Sequence, residues 1–368
     1  MKELSSIFKT ILRVIKEHLD IVPAIGNATE ELTSIDVEER DDEIISREHQ
    51  QIDSYVETPA PQWQSKKIEP IYRKQDNFFN YFMDGTYRHY FLATGLEHHN
   101  STPIFLAQIG ASILHRDQLG KLSVIEKLNK MYILLAQARV SATTWQKIEE
   151  ILAQFKDKNI ELFDLSDDDV FSGKCDNLTD LRRRGDVKVR WIMSQLEKKL
   201  MIQFRNKNKD GWFIKDGILR YGSFDANFAL PKTIGVAKRM ASVQNFRFIK
   251  QQNTVNLLRG LPYEHRTPVY GGLDAKTGFW YLRLRKLQHL QYPLFGIVKV
   301  EIPNLESQPI TTELVNYISS ALIAERFVTP YGSDQRWHAH LYPIYKAEQV
   351  AKQSFYSNDV IQGIINWQ

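Results

Sequence analysis

The tightest constraint on this chain is a dense aromatic run, Phe78-Phe79-Asn80-Tyr81-Phe82-Met83, which stops at Asp84-Gly85 and is followed by Tyr90-Phe91-Leu92-Ala93 at strand-like spacing. So much apolar surface in so few residues belongs inside a sheet. Further runs of strand length follow at Pro103 to Leu114 (PIFLAQIGASIL) and Met131 to Val140 (MYILLAQARV), and shorter ones at Trp212 to Ile214, Thr233 to Ala237, Phe279 to Leu284 and Leu294 to Glu301.

Helical spacing alternates with these runs. Thr144 to Phe155 places Trp145, Ile148, Ile151 and Leu152 on one face, and Asp186 to Gln203 carries a stripe of Val189, Met193, Leu196, Leu200 and Met201. Thr311 to Ala324 and Ile344 to Gln353 close the chain as helices. Strands interleaved with helices predict an α/β layered fold with a mixed sheet.

Ahead of this core, Leu4, Phe8, Ile11, Ile15 and Leu19 recur at spacings of three and four, so Met1 to about Asp20 reads as an amphipathic helix. An acidic stretch follows, and Thr58-Pro59-Ala60-Pro61 closes it as a linker. The division expected is an N-terminal helix with its linker over 1–62 and a core over 63–368.

Charge and cysteine content narrow the setting. Lysine and arginine number 48 against 44 acids, a net of +4 that is too mild to diagnose a polyanion partner. Compact basic clusters stand at Arg182-Arg183-Arg184 and Lys198-Lys199. The single cysteine, Cys175, excludes an internal disulfide framework and fits a reducing compartment, with cytoplasm as the default. Charged residues interrupt every apolar stretch of the first twenty residues, so neither a signal peptide nor a membrane span is expected.

Chemistry is best sought at the two Asp-Gly steps. Asp84 and Asp216 each follow an apolar run, where an unpaired carboxylate is costly and a hard divalent cation such as Mn²⁺ or Mg²⁺ offsets the cost. The competing reading is a hairpin turn, for which Asp-Gly is a common signal. Glu197, nineteen residues before Asp216, is a candidate third ligand from a helix, or a surface glutamate paired with a neighbouring lysine. His98-His99 and His338-Ala339-His340 lack zinc spacing, and an i, i+2 histidine pair reads as surface. No phosphate loop and no serine nucleophile elbow is present, so ATP hydrolysis by this chain is not expected.

From about Asn77 to Gln353 the order of these segments resembles the NurA family of DNA-end-processing nucleases, which partner HerA-type hexameric ATPases. Phe82-Met83-Asp84-Gly85-Thr86 resembles the family's first metal-binding motif, and Phe213-Ile214-Lys215-Asp216-Gly217-Ile218-Leu219 its second. Ile234-Gly235-Val236-Ala237-Lys238-Arg239 is similar to the strand carrying a lysine, and the segments around Trp280 to Leu284 and Tyr292 to Val300 to the paired late strands. Near the end, Leu341-Tyr342-Pro343-Ile344-Tyr345-Lys346-Ala347-Glu348 departs from the family's Ala-His: Glu348 takes the histidine's place and His340 falls near the family's tyrosine.

The resemblance implies an RNase H-like mixed α/β core with a helical N-terminal extension and metal-dependent cleavage of DNA with Mn²⁺ or Mg²⁺. Asp84, Glu197 and Asp216 would bind metal, and Lys238, His340 and Glu348 would complete the catalytic set. Arg88, Arg239 and Arg283 would contact DNA. It further implies a homodimer seated on the ATPase, in repair or in defence against foreign DNA. The apolar stripe of the N-terminal helix must itself pack on the chain's own core, on the twin subunit or on the ATPase, where it would be a docking element. A catalytically inactive DNA-binding adaptor of the same ATPase is the alternative.

Overall fold

The structure is a computed structural model that describes residues 2–24, 30–31, 55–69, 71, 78–166, 178–207, 210–219, 230–238, 254–271, 276–286, 294–326 and 337–367. The chain begins with α1 (Lys2–His18), β1 (Asp20–Pro23), β2 (Glu30–Glu31) and β3 (Lys66–Lys67). Three long strands follow, β4 (Phe79–Glu97), β5 (Asn100–Arg116) and β6 (Leu122–Leu135), then α2 (Ala142–Ala153), β7 (Ile160–Asp164) and α3 (Leu178–Lys207). Next come β8 (Trp212–Asp216), β9 (Thr233–Ala237), α4 (Thr254–Arg259), β10 (His265–Arg266), β11 (Tyr270–Gly271), β12 (Thr277–Arg283) and β13 (Ile297–Pro303). The last helices are α5 (Thr312–Glu325), α6 (Tyr342–Lys352) and α7 (Asn358–Ile364).

All the described strands join one mixed sheet, whose main path runs β3-β10-β12-β13-β9-β8-β4-β5-β6-β7. The pairs β4/β8, β8/β9 and β6/β7 are parallel and the others antiparallel. The expected α/β fold with a mixed sheet is therefore present. Both faces of the sheet are covered, which is why β5 reads as a nearly unbroken apolar run rather than an alternating one.

One face carries two cores. At one end Phe82, Ile214, Ile234 and Val236 pack under α5 and α6. At the other, Tyr90, Leu92, Leu106 and Ile133 pack under α1, α2 and α7. The opposite face, with Met83, Phe105, Ile109 and Phe213, is covered by Leu181, Val189, Ile192, Leu196, Leu200 and Phe204 of α3. Helix α3 is longer than its apolar stripe because polar partners also anchor it. Asp186 pairs with Arg190 at 2.8 Å, Arg190 donates to the Tyr87 hydroxyl at 2.9 Å, and the Arg182 guanidinium lies 3.9 Å over the Phe91 ring. Arg184, in the same basic cluster, is buried rather than solvated.

Two expectations about boundaries are corrected. Asp84 does not end its strand: β4 runs on for thirteen more residues to Glu97, because β5 pairs through the Asp-Gly step, with Asp84 opposite Ser112 and Gly85 opposite Ala111. The hairpin reading of Asp84-Gly85 is thereby excluded. The N-terminal helix is not held out for a partner either. Leu4, Phe8, Ile11, Ile15 and Leu19 are all buried in the chain's own core, each such side chain contributing roughly 1.5–3 kcal/mol.

The segment taken as the end of a linker is also part of the core. Glu57 forms a fully buried ion pair with Arg266, with Nη1 and Nη2 donating at 3.0 and 2.6 Å, and it also accepts from Thr312 Oγ1 and the Val269 amide. Burial opposes the Glu57 carboxylate, but the hydrogen bond and charge of Arg266 outweigh it and hold the pKa below the ordinary glutamate value. Among the described residues no helix is long and apolar enough to cross a membrane.

Candidate active site

The registers of β4, β8 and β9 converge on one patch. In the parallel β4/β8 pair Met83 stands beside Lys215, so one step further along each strand Asp84 and Asp216 come side by side. Both share the face of Phe82 and Ile214, since side chains alternate along a strand. Lys238, the first residue past β9, reaches the same patch and pairs with Asp216 at 2.8 Å. Three strand ends or interiors thus bring two carboxylates and an ammonium together at the side of an open α/β sheet where ligands usually bind, near the carboxyl ends of parallel strands.

Helix α6 supplies the fourth group. Ser112, cross-strand partner of Asp84, donates to the carbonyl of Ala347 at 2.7 Å and so fixes the turn of α6 that carries Glu348. Lys352, one turn on, pairs with Glu348 at 2.6 Å. Burial raises the Asp84 carboxyl well above the usual aspartate range; Asp216, Glu348 and Glu197 push it further, against the pull of Lys238. Burial also works against the Lys238 ammonium, yet Asp216 and Asp84, the hydrogen bond to Asp216 and the charge of Glu348 together lift its pKa above the ordinary lysine value.

Glu197 approaches from the other face. Its side chain, buried and carried by α3, lies against Gly85, where an added Cβ would stand 2.9 Å from Glu197 Cγ and Cδ; glycine is what allows the approach. Lys215 pairs with Glu197 at 2.8 Å and donates to the Asp216 carbonyl at 2.8 Å. Glu197 therefore acts on Asp84 by its charge and on the Asp216 backbone through Lys215.

The remaining candidates are distributed elsewhere. His340 is buried with its ring edge-on to Tyr345, 6.4 Å between centroids. Its neighbour His338 is buried as well and accepts from the Gly296 amide at 2.9 Å, so the expectation of a surface histidine pair is wrong. Arg88 shares the face of Asp84 but donates to the Tyr356 carbonyl at 3.5 Å and sits 6.0 Å over the Phe355 ring.

Arg283 is corrected outright as a DNA contact. Its guanidinium is fully buried and donates to the carbonyls of Leu261, Phe295, Leu258 and Arg259, which leaves it no access to a phosphate. Arg239 lies outside the described residues.

Three residues of the patch escaped the sequence reading: Ser112, Lys215 and Lys352. Lys352 had a signal, since it stands four residues after Glu348 on a helix, the spacing of an ion pair. Lys215 and Ser112 had none, because nothing local tells which strand or helix lies across from them.

The donor chemistry fits a hard divalent cation. Carboxylates that crowd one another in a buried setting are what such an ion relieves. As they stand, however, Asp216, Glu197 and Glu348 are each engaged by a lysine, and among the described residues no three His, Cys, Asp or Glu side chains are grouped to hold a metal. Comparison finds no protein-family profile and no curated protein that matches the chain.

Proposed function

We propose that this chain is a divalent-metal-dependent DNA nuclease of the NurA type, with an RNase H-like arrangement of its sheet, that works with a HerA-type hexameric ATPase. The observation that carries the reading is the pairing of a buried Asp84 with a part-exposed Asp216 on adjacent parallel strands, on one face with Lys238 and Glu348. A structural role does not require two neighbouring aspartates, one of them buried, whereas oxygen ligands of this kind suit phosphodiester hydrolysis through a bound cation.

Asp84 and Asp216 would hold Mn²⁺ or Mg²⁺, with Glu348 joining once Lys352 is displaced, while Glu197, on the other face of the sheet, would act through its charge and through Lys215 rather than as a ligand. The ion supplies Lewis acidity toward the phosphodiester. Lys238 would then be available to a DNA phosphate, and Glu348 would take a proton from water. The resemblance that supports this reading also implies a homodimer on the ATPase ring and a part in DNA repair or defence.

A second reading has its own observation. The lysine paired with each of Asp216, Glu197 and Glu348 neutralises the site without a metal, as a DNA-binding adaptor of the same ATPase with no chemistry would tolerate. The two are separated by incubating the protein with linear single- and double-stranded DNA in Mn²⁺, Mg²⁺ or chelator, with and without the ATPase. Metal-dependent degradation that D84N and D216N abolish supports the nuclease. No metal binding at millimolar concentration and no degradation in any mixture establishes the adaptor.

A further inference from the structure

The backbone that follows Asp216 is shaped by a residue three strands away from Asp84. Gly217 adopts φ +76°, the left-handed region open to glycine, and its amide donates to the Val236 carbonyl at 2.9 Å. The chain then crosses β9 directly over Gly235, whose register partners are Lys215 on one side and Glu301 on the other. The crossing ends where the Leu219 amide donates to Glu301 Oε2 at 2.9 Å. The other oxygen of Glu301 pairs with Lys299 at 2.8 Å.

Each part of this arrangement serves the turn. A Cβ at Gly235 would stand 2.7 Å from the Gly217 carbonyl oxygen and 3.0 Å from the Leu219 nitrogen, so only glycine leaves room for the crossing chain. Glu301 is buried in the middle of a strand whose other charged residue is its partner Lys299, and a carboxylate there costs free energy unless its oxygens are engaged. Its acceptor fixes the turn at the far end, as the Val236 carbonyl does at the near end, and Lys215 holds the Asp216 carbonyl between them.

We propose that Glu301 is a positioning residue for Asp216: by accepting from the Leu219 amide it fixes the 216–219 turn, and thereby the direction in which Asp216 presents its carboxylate to Asp84 and Lys238. This rests on the reading of Asp84 and Asp216 as metal ligands. Glu301 touches neither carboxylate and acts only through the backbone.

The test is Mn²⁺ binding to the full-length protein without DNA, followed by electron paramagnetic resonance, for wild type, E301A, E301Q, G235A and D216N. Outer partners that orient ligands are typically worth about 10- to 100-fold in metal affinity, so E301A is expected to bind Mn²⁺ at least about tenfold more weakly. E301Q keeps an oxygen acceptor for the Leu219 amide and is expected to stay close to wild type. G235A, with Glu301 intact, displaces the same turn sterically and is expected to behave like E301A.

Equal losses in E301A and E301Q would show an effect of charge alone and overturn the proposal, as would wild-type binding by G235A. Should E301A fail to fold, the contrast between G235A and E301Q decides. Wild-type binding by D216N is a different result, which defeats the metal-site reading itself.

Discussion

The Ser112 hydroxyl donates to the Ala347 carbonyl at 2.7 Å, and through that bond the strand beside Asp84 holds the helix turn that presents Glu348. The site is thus assembled by a sheet and a helix more than two hundred residues apart in the chain.

Asp84 is raised in pKa by burial first and by its carboxylate neighbours second, so the folded protein binds its proton more tightly than the unfolded chain does. Its charged form therefore opposes folding, with the full penalty above the folded pKa and none below the unfolded one. D84N is expected to raise the melting temperature of the metal-free protein by a few degrees at neutral pH. The gain should shrink as pH falls through the folded pKa. The same variant should show no nuclease activity. Calorimetry between pH 4 and 8 checks the first outcome, and a marked loss of stability in D84N would contradict it.

Lys238 offsets the charge of Asp216 and Asp84 from a nearly buried position. Because its folded pKa is raised, its contribution is fully present below the ordinary lysine value of 10.5 and is lost only as pH rises through the folded pKa. Removing one partner of a buried pair costs about 3–5 kcal/mol when the other is left unpaired; the partial exposure of Asp216 moves K238M toward the lower figure. The double variant K238M/D216N should recover most of the loss, measured by urea denaturation at pH 7.

Glu348 adds its charge to Asp84 and Lys238, and among the described residues the partner its loss would strand is Lys352, which is part-exposed. E348A is expected to lower the cleavage rate by about 10²-fold, the scale of a missing proton-transfer group, while DNA affinity changes little. Single-turnover cleavage and fluorescence anisotropy separate the two. Equal cleavage by E348A and wild type would make Glu348 an ordinary helix residue.

Phe8 is fully buried in the core that α1 shares with β4, β5 and α7. F8A should destabilise the protein by about 3–5 kcal/mol, as a large-to-small change in a packed core does. Deletion of residues 1–20 should leave the protein insoluble rather than merely unable to comigrate with the ATPase. A soluble, well-folded truncation would return α1 to the docking role that the sequence first assigned it.

The α/β class was legible because periodicity reports burial directly: β9 over Thr233–Ala237 and α2 over Ala142–Ala153 fall on, or within two residues of, the segments read from spacing. Asp84 and Asp216 were legible because each interrupts an apolar run. What sequence could not give was the far partner of a buried charge. Arg283 looked like a phosphate contact because nothing near it in the chain shows that Leu258, Leu261 and Phe295 surround it with carbonyls. The VKVEI alternation of β13 reads as a sheet with one wet face, yet Glu301 is buried there by the turn after Asp216. Glu57 looked like the end of an acidic linker for the same reason, its partner Arg266 lying 209 residues away.

Strand β4 runs through both cores of its face: Phe79 and Phe82 belong to the first and Tyr90 and Leu92 to the second, with Asp84 between them. Its phase is therefore shared property. A single inserted or deleted residue between Gly85 and Tyr90 would leave Asp84 where it is but turn everything beyond it to the opposite face, emptying the pocket under α1 while filling the α3 side with the wrong side chains. This stretch should thus tolerate substitution at several positions and length change at none.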